Sequence, residues 1–174
     1  MRHLASRAAH RAAGPKEPAA AHVVLGLGNL LNRDEGLGVH ALQALEAELG
    51  ESAAVSFVDG GVLGLDLLPL VERCSHLLLL DAVDAGAAAG SIVELTAEDL
   101  PRLSGAKLSL HQTTFQDVLA LAAVRGRLPQ EVHLVGVQPA DLSLGVGLSA
   151  AVAAALPSAL QRATAVLRRW GLLG

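Results

Sequence analysis

Short apolar segments, separated by longer stretches of mixed composition, constrain the fold of this chain more than any other feature. Each segment has only five or six residues, several are bounded by glycine or aspartate, and such runs are typical of buried strands. The predicted strands are His22–Leu27, Ala54–Val58, His76–Leu80, Ser91–Leu95 and Val132–Val137.

The stretches between these strands carry helical patterns. Leucine and valine recur at helical spacing after the first strand, at Val39, Leu42, Leu45 and Leu49. Gly50 follows them and is a typical residue just beyond a helix end. A second, short helix is expected over about residues 66–73, provided that Pro69 lies in its first turn, where a missing amide donor costs little.

Two further helices are expected in the second half of the chain. The pattern at residues 113–116 matches a capping box, which predicts that a helix begins just after His111. Ser149 can cap a final, alanine-rich helix. Pro157 should kink or split that helix, because proline removes a backbone donor and clashes with the preceding turn.

Alternating strands and helices predict an α/β fold with a mainly parallel sheet and helices on both faces. The 174 residues are enough for one domain with a hydrophobic core. Residues 22–174 are interpreted as that domain. Residues 1–21, rich in alanine and arginine, are interpreted as a disordered extension.

Composition excludes several classes of function. A net charge of -4 argues against nucleic-acid binding, which needs a basic patch. No uninterrupted apolar run reaches the roughly 18 residues that cross a bilayer, so no membrane association is expected. One cysteine cannot form an internal disulfide, which fits a reducing compartment. We therefore expect a cytoplasmic protein, and we separately expect a monomer.

Polar residues that follow the strands indicate where chemistry can occur. In open α/β sheets, ligands bind at the carboxyl ends of the strands. Glu35 follows the first strand, Asp59 the second and Asp81 the third, while His111 precedes a helix and could reach the same edge. Carboxylate and imidazole ligands suit nickel, zinc, manganese or iron, and three protein ligands leave positions open for a substrate group or water.

Each of these residues also has a structural interpretation. Glu35 could complement a helix dipole, and His111 could be a polar residue ahead of a capping box. The sequence Asp-Gly-Gly at residues 59–61 is typical of a tight turn. Asp81 follows four leucines, where an unpaired carboxylate is costly to bury, so a functional role is favoured there.

Other catalytic patterns are weak or absent. Gly26 and Gly28 resemble the start of a dinucleotide-binding fingerprint, but Leu31 occupies the place of its third glycine, which disfavours a nucleotide-binding domain. The sequence contains neither a Walker A motif nor a G-x-S-x-G elbow. Cys74 is interpreted as an inert thiol, and His40 is expected to face solvent.

Five segments, taken together and in order, resemble the signature of the hydrogenase maturation endopeptidases. Those proteases remove a C-terminal tail from the large subunit of nickel–iron hydrogenases. The resemblance runs from about His22 to the C-terminus. The segments are Gly26–Val39 (GLGNLLNRDEGLGV), Asp59–Gly61, Leu79–Ala82, His111–Gln112 and Leu134–Pro139.

The resemblance implies a three-layer fold whose five-stranded, mostly parallel sheet has one antiparallel strand. It also implies that Glu35, Asp81 and His111 bind the metal, with Asp59 as a nearby catalytic acid. The nickel would belong to the partner, the large-subunit precursor. The alternative function is a non-catalytic chaperone that checks nickel loading. The sequence leaves open whether the metal polarises the scissile carbonyl or only positions the substrate, and whether Glu35 or Asp59 acts as general base.

Overall fold

The strands form one mixed sheet in the order β2-β1-β3-β5-β4. The computed structural model describes residues 21–50, 54–99 and 112–173. All neighbouring strands are parallel except β4, which runs antiparallel to β5. This confirms the predicted five strands and the single antiparallel strand that the resemblance implied. The strands are β1 His22–Leu27, β2 Val55–Gly61, β3 His76–Ala82, β4 Ile92–Thr96 and β5 Glu131–Val137.

Helices cover both faces of the sheet, as predicted. Two short 3-10 turns, Arg33–Gly36 and Gly64–Leu67, lead directly into the first two helices. The first and last helices pack on one face, and the second and third pack on the other. The helices are α1 Leu37–Leu49, α2 Leu68–Val71, α3 Gln112–Val124 and α4 Ala150–Arg169.

The central strand β3 shows why this sequence needs a helix layer on each side. Leu77 and Leu79 pack into the core beneath α2 and α3, whereas Leu78 and Leu80 pack into the core beneath α1 and α4. Burying each leucine contributes on the order of 1.5–3 kcal/mol, so both faces must be covered. Because side chains alternate along a strand, Asp81 belongs to the α2 and α3 face at the carboxyl end of β3.

The last helix differs from the expectation at Pro157. α4 is continuous from Ala150 to Arg169, so Pro157 does not split it, while the kink that was the other expectation stays a prediction. Pro157 and Ala153 both lie on the exposed side of the helix. The carbonyl that loses its amide partner can therefore be hydrated there.

By length and composition alone, α4 is also apolar enough to cross a membrane. It nevertheless packs against β5 and α1, and its buried stripe includes Val152, Ala163 and Leu167. Such packing is typical of a core helix.

The start of the fold is held by Ala21. Its carbonyl oxygen accepts hydrogen bonds from the backbone amide of Ser75 at 2.7 Å and from the Ser75 hydroxyl at 3.0 Å. Ala21 therefore belongs with the sheet, one residue before the predicted boundary. The rest of the predicted extension, residues 1–20, lies outside the described residues.

Candidate active site

Glu35 is positioned by a loop that doubles back over the end of β1. Gly28 has a φ of +121°, and a Cβ atom at this position would collide with the carbonyl oxygen of Glu35. A Cβ atom on Gly38 would collide with the carbonyl oxygens of Leu80 and Leu27. Glycine at these two positions lets the turn that carries Glu35 lie directly on the ends of β1 and β3.

Glu35 and Asp81 both lie at the carboxyl edge of the sheet. The turn that contains Glu35 contacts β3, and Asp81 is the next-to-last residue of that strand. Their side chains are only 3% and 2% exposed. The Asn32 side-chain amide donates to Glu35 Oε2 at 2.5 Å, and the Ala82 amide donates to Asp81 Oδ1 at 2.7 Å. Two buried carboxylates at one edge form an environment that favours a cation.

Asp59 lies at the same edge but in a different setting. Its side chain is exposed, and its Oδ1 atom accepts the Gly61 amide at 3.0 Å, although β2 continues through Gly61 where the sequence suggested a tight turn. β1 lies between β2 and β3, so the Cα atoms of Asp59 and Asp81 are roughly 10 Å apart across the sheet. Asp59 is therefore open to solvent at the carboxyl edge, two strands away from Asp81.

His111 lies outside the described residues, so its predicted place in the site stays a prediction. α3 begins at Gln112, just after His111, as the capping-box pattern indicated. Beyond the other end of this 13-residue helix, Arg125 pairs with Glu72, which precedes β3 at the amino edge. A helix of this length spans about 20 Å, so α3 begins toward the carboxyl edge. Within the described part of the chain, no group of three His, Cys, Asp or Glu side chains could hold a metal ion.

Asp34 has a structural role that the sequence reasoning did not identify. It is completely buried. Its Oδ2 atom accepts the amides of Ala140 and Asp141, both at 2.9 Å, and its Oδ1 atom accepts the Ser149 amide at 2.6 Å. Burial alone would raise the pKa of Asp34, but the hydrogen bonds from these backbone amides outweigh it and lower the pKa. The charged carboxylate therefore fixes the loop after β5 against the turn that carries Glu35.

Backbone hydrogen bonds join the same two loops at a second place. Asn32 forms a parallel bridge with Gly145, whose carbonyl oxygen accepts the Arg33 amide at 2.9 Å. The Gly145 amide in turn donates to the Leu31 carbonyl oxygen at 2.7 Å. Arg33, with a φ of +45°, pairs through Nε with Asp141 at 3.2 Å. The loop after β1 is therefore held from both sides.

Gln138, at the end of the last motif that carried the resemblance, holds the loop that follows β3. Its buried side chain accepts the amides of Ala85 at 2.9 Å and Ala87 at 3.1 Å. Its Nε2 atom donates to Asp84 Oδ1 at 3.0 Å. A single amide group thus fixes the chain that leaves Asp81.

Comparison with known proteins shows which family the chain belongs to. A hydrogenase maturation protease model matches residues 39–166. The chain belongs to the hydrogenase maturation protease family. The matched segment contains Asp59 and Asp81, and it begins after Glu35.

Individual maturation proteins are similar over most of their length. The hydrogenase expression/formation protein HupD of Rhizobium leguminosarum bv. viciae is 41% identical over 157 residues, which cover 89% of this chain and 78% of HupD. The hydrogenase 2 maturation protease of Escherichia coli K12 is 37% identical over 151 residues, covering 86% and 92%. The solved structure of the hydrogenase maturating endopeptidase HybD from E. coli superposes with a TM-score of 0.79 at 36% identity, covering 86% and 93%.

These comparisons confirm the resemblance, the fold and the enzyme class. The chain is an endopeptidase, and therefore a hydrolase. The two E. coli proteins are named as a protease and an endopeptidase, which favours the enzyme over the chaperone alternative.

The only cysteine of this maturation protease is not placed to act as a nucleophile. Cys74 is buried just before β3, and its thiol donates to the Val71 carbonyl oxygen at 3.4 Å. Burial raises the pKa of Cys74 to about 11, so the thiolate is scarce at neutral pH. The structure is consistent with an inert thiol at this position.

The expectation that His40 faces solvent is wrong. Its side chain is half-buried in α1 rather than facing solvent, and its Nε2 atom is buried with no hydrogen-bond partner among the described residues. The helical pattern marked the polar side of α1 but could not show which neighbours cover it.

Proposed function

We propose that this endopeptidase removes the C-terminal tail of the large-subunit precursor of a nickel–iron hydrogenase, and that it acts on the precursor only after nickel has been loaded. The observation that carries the proposal is the pair of buried carboxylates, Glu35 and Asp81, at the carboxyl edge of a hydrogenase maturation protease fold. The hydrogenase 2 maturation protease of E. coli, 37% identical, supports the same kind of substrate.

The chemistry of the donors fits a metal that belongs to the substrate. Glu35 and Asp81 offer oxygen ligands, and we propose His111 as the nitrogen ligand. The single thiol of the chain, Cys74, belongs to the core beneath α2 and α3. Thiolates bind nickel more strongly than a set of carboxylates and one imidazole does. The cleft can therefore recognise nickel in a thiolate-rich precursor without removing it. Other divalent ions that accept oxygen and nitrogen ligands could substitute.

The proposed hydrolysis uses the precursor's nickel and the acids of the protease. The tail is positioned, and its scissile carbonyl polarised, by the nickel that the precursor carries. Asp59, which is exposed beside the buried pair, can take a proton from the attacking water, and Glu35 is the second candidate for this base. We further propose that the protein acts in the cytoplasm, as a monomer and without a membrane.

The decisive experiment mixes the purified protein with large-subunit precursor and measures the precursor's mass. We expect loss of the tail from nickel-loaded precursor and no change in nickel-free precursor. His111→Ala, with its fold checked by circular dichroism, should leave the loaded precursor uncut, because the cleft loses its proposed nitrogen ligand.

Each part of the proposal can fail separately. Equal cleavage of nickel-free precursor would refute nickel recognition while leaving the protease activity in place. Binding of loaded precursor without peptide release would instead support the chaperone function.

A further inference from the structure

Exposed apolar side chains are concentrated around the two buried carboxylates. Ten large hydrophobic residues are exposed in the described part of the chain, and eight of these lie in or beside three loops at the carboxyl edge, residues 28–36, 62–67 and 138–149. The other two, Leu121 and Val124, are on α3. Five of the eight are more than half exposed and are called the apolar rim here: Leu31, Val62, Leu65, Leu144 and Val146.

Backbone hydrogen bonds connect the three loops that carry the apolar rim. The Gly28 amide donates to the Gly61 carbonyl oxygen at 2.9 Å, which ties the first loop to the second. The bonds between Gly145 and Leu31 tie the first loop to the third. The loops are therefore connected to one another, and the rim side chains on them are exposed. Exposed apolar residues gathered in this way mark a protein interaction surface.

The charges around the rim restrict the partner. Arg33 is the only cation in the described residues of the three loops, and it is paired with Asp141. Asp59 and Asp66 add negative charge beside the apolar side chains. An acidic partner would be repelled here, whereas an apolar surface next to a positive centre would be complementary.

We propose that the apolar rim is the docking surface for the folded large-subunit precursor, which contacts it through an apolar patch around the base of its tail. The inference rests on the proposed function. A chain that enters the cleft to reach Glu35 and Asp81 brings the surface around it onto these loops. The rim then contributes affinity, while the buried acids act on the tail.

The test compares a rim variant with a matched control at the other end of the molecule. Leu144 and Val146 are 82% and 77% exposed, and the double variant Leu144→Ser/Val146→Ser removes the most exposed part of the rim. Val124, 85% exposed near the amino edge, provides the control Val124→Ser. Processing of nickel-loaded precursor gives kcat and KM for each, and light scattering or an immobilised-precursor assay gives binding. If the double variant does not fold, Leu31→Ser tests the same rim from another loop.

We expect the rim variant to raise KM and weaken binding by about tenfold or more, with kcat unchanged. Val124→Ser should stay within about twofold of the unchanged protein. Unchanged KM and binding, or a fall in kcat alone, would overturn the proposal. So would self-association of the unchanged protein that the rim variant abolishes without a change in KM, because a second copy of the chain would then be the occupant.

Failure of the proposed function gives a different result. If the unchanged protein binds precursor without cutting it, rim-dependent binding still supports docking although the protease proposal fails. If the unchanged protein does not bind precursor at all, both proposals are overturned.

Discussion

The first residues of three adjacent strands, His22, His76 and Glu131, lie side by side at the amino edge of the sheet, whereas the carboxyl edge holds Glu35 and Asp81. At the amino edge the side chains contact one another. The rings of His22 and His76 are 4.7 Å apart, and Trp170 packs edge-on against His76 at 5.0 Å while its Nε1 atom donates to Glu131 at 3.0 Å. Such mutual contacts stabilise the start of the sheet.

At the carboxyl edge the polar groups are organised by loops instead. Backbone amides and glycines hold Asp34, Glu35 and Asp81 in place, and apolar side chains are left exposed around them. The buried carboxylates at the carboxyl edge are therefore candidates for function, whereas the histidine and carboxylate side chains at the amino edge serve stability. At the amino edge these side chains contact one another. At the carboxyl edge they are held by loops, and the surface around them exposes apolar side chains.

The largest expected effect is a difference in processing activity between substitutions at the two edges. Asp81→Asn preserves the shape of a buried carboxylate but removes its charge, so processing of nickel-loaded precursor should fall by at least about a hundredfold. The amino-edge counterpart Glu131→Gln keeps an acceptor for Trp170 and should process normally. Tail release followed by mass spectrometry measures both. Equal rates for the two variants would remove the functional distinction between the edges.

The next effect concerns stability. Gly28→Ala would force a Cβ atom onto the Glu35 carbonyl oxygen at a φ of +121°, and we expect a loss of about 3 kcal/mol or more in the free energy of unfolding. Gly126, beyond α3, has a φ of +67° and open space around it, so Gly126→Ala should cost only about 1 kcal/mol. Urea unfolding provides the comparison. Similar losses would show that close packing over β1 is not what requires glycine.

The smallest expected effect is the contribution of Asp34 to the free energy of unfolding, which depends on pH. Asp34→Asn should lower the free energy of unfolding by about 1–3 kcal/mol at neutral pH, because an amide cannot accept all three backbone bonds as well as a carboxylate. The pKa of Asp34 is lower in the folded protein than its ordinary value of 3.8. Its stabilisation is therefore complete above that value and is lost as the pH falls through the lower, folded value.

Denaturant unfolding between pH 7 and pH 3 tests this. The free energies of unfolding of the unchanged protein and of Asp34→Asn should approach each other only below about pH 4. A constant difference across the whole range would contradict a charged Asp34.

Much of the fold could be predicted because its signals are local. The four consecutive leucines of β3, Leu77–Leu80, need cover on both faces of the sheet, and the spacing of leucines in α1 is helical. Local signals failed where pairing with a neighbouring strand determines the secondary structure. β2 continues through Gly61, although the Asp-Gly-Gly at its end suggested a turn, because pairing with β1 continues there across a register shift.

The candidate site was only partly predictable for the same reason. The position of Asp81 at the end of a run of leucines predicted that it lies at the carboxyl edge of the sheet, but adjacent acids such as Asp34 and Glu35 cannot be ranked from sequence alone. The partners of Asp34 are the amides of Ala140, Asp141 and Ser149, more than a hundred residues further along the chain. No periodicity or motif in the sequence predicts which distant loop will contact Asp34.

The distance between Asp34 and its partners also has a consequence for the order of folding. Asp34 and Ser149 are 115 residues apart, so their bond closes a loop that includes most of the sheet. Contacts of such long range form late, because the intervening chain must first be ordered. A nascent chain that has not yet released residues 140–149 from the ribosome has no anchor for the turn that carries Glu35. The carboxyl edge of this protease is thus completed only after residues 140–149 have been synthesised, and a chain that lacks them lacks the anchor of Asp34.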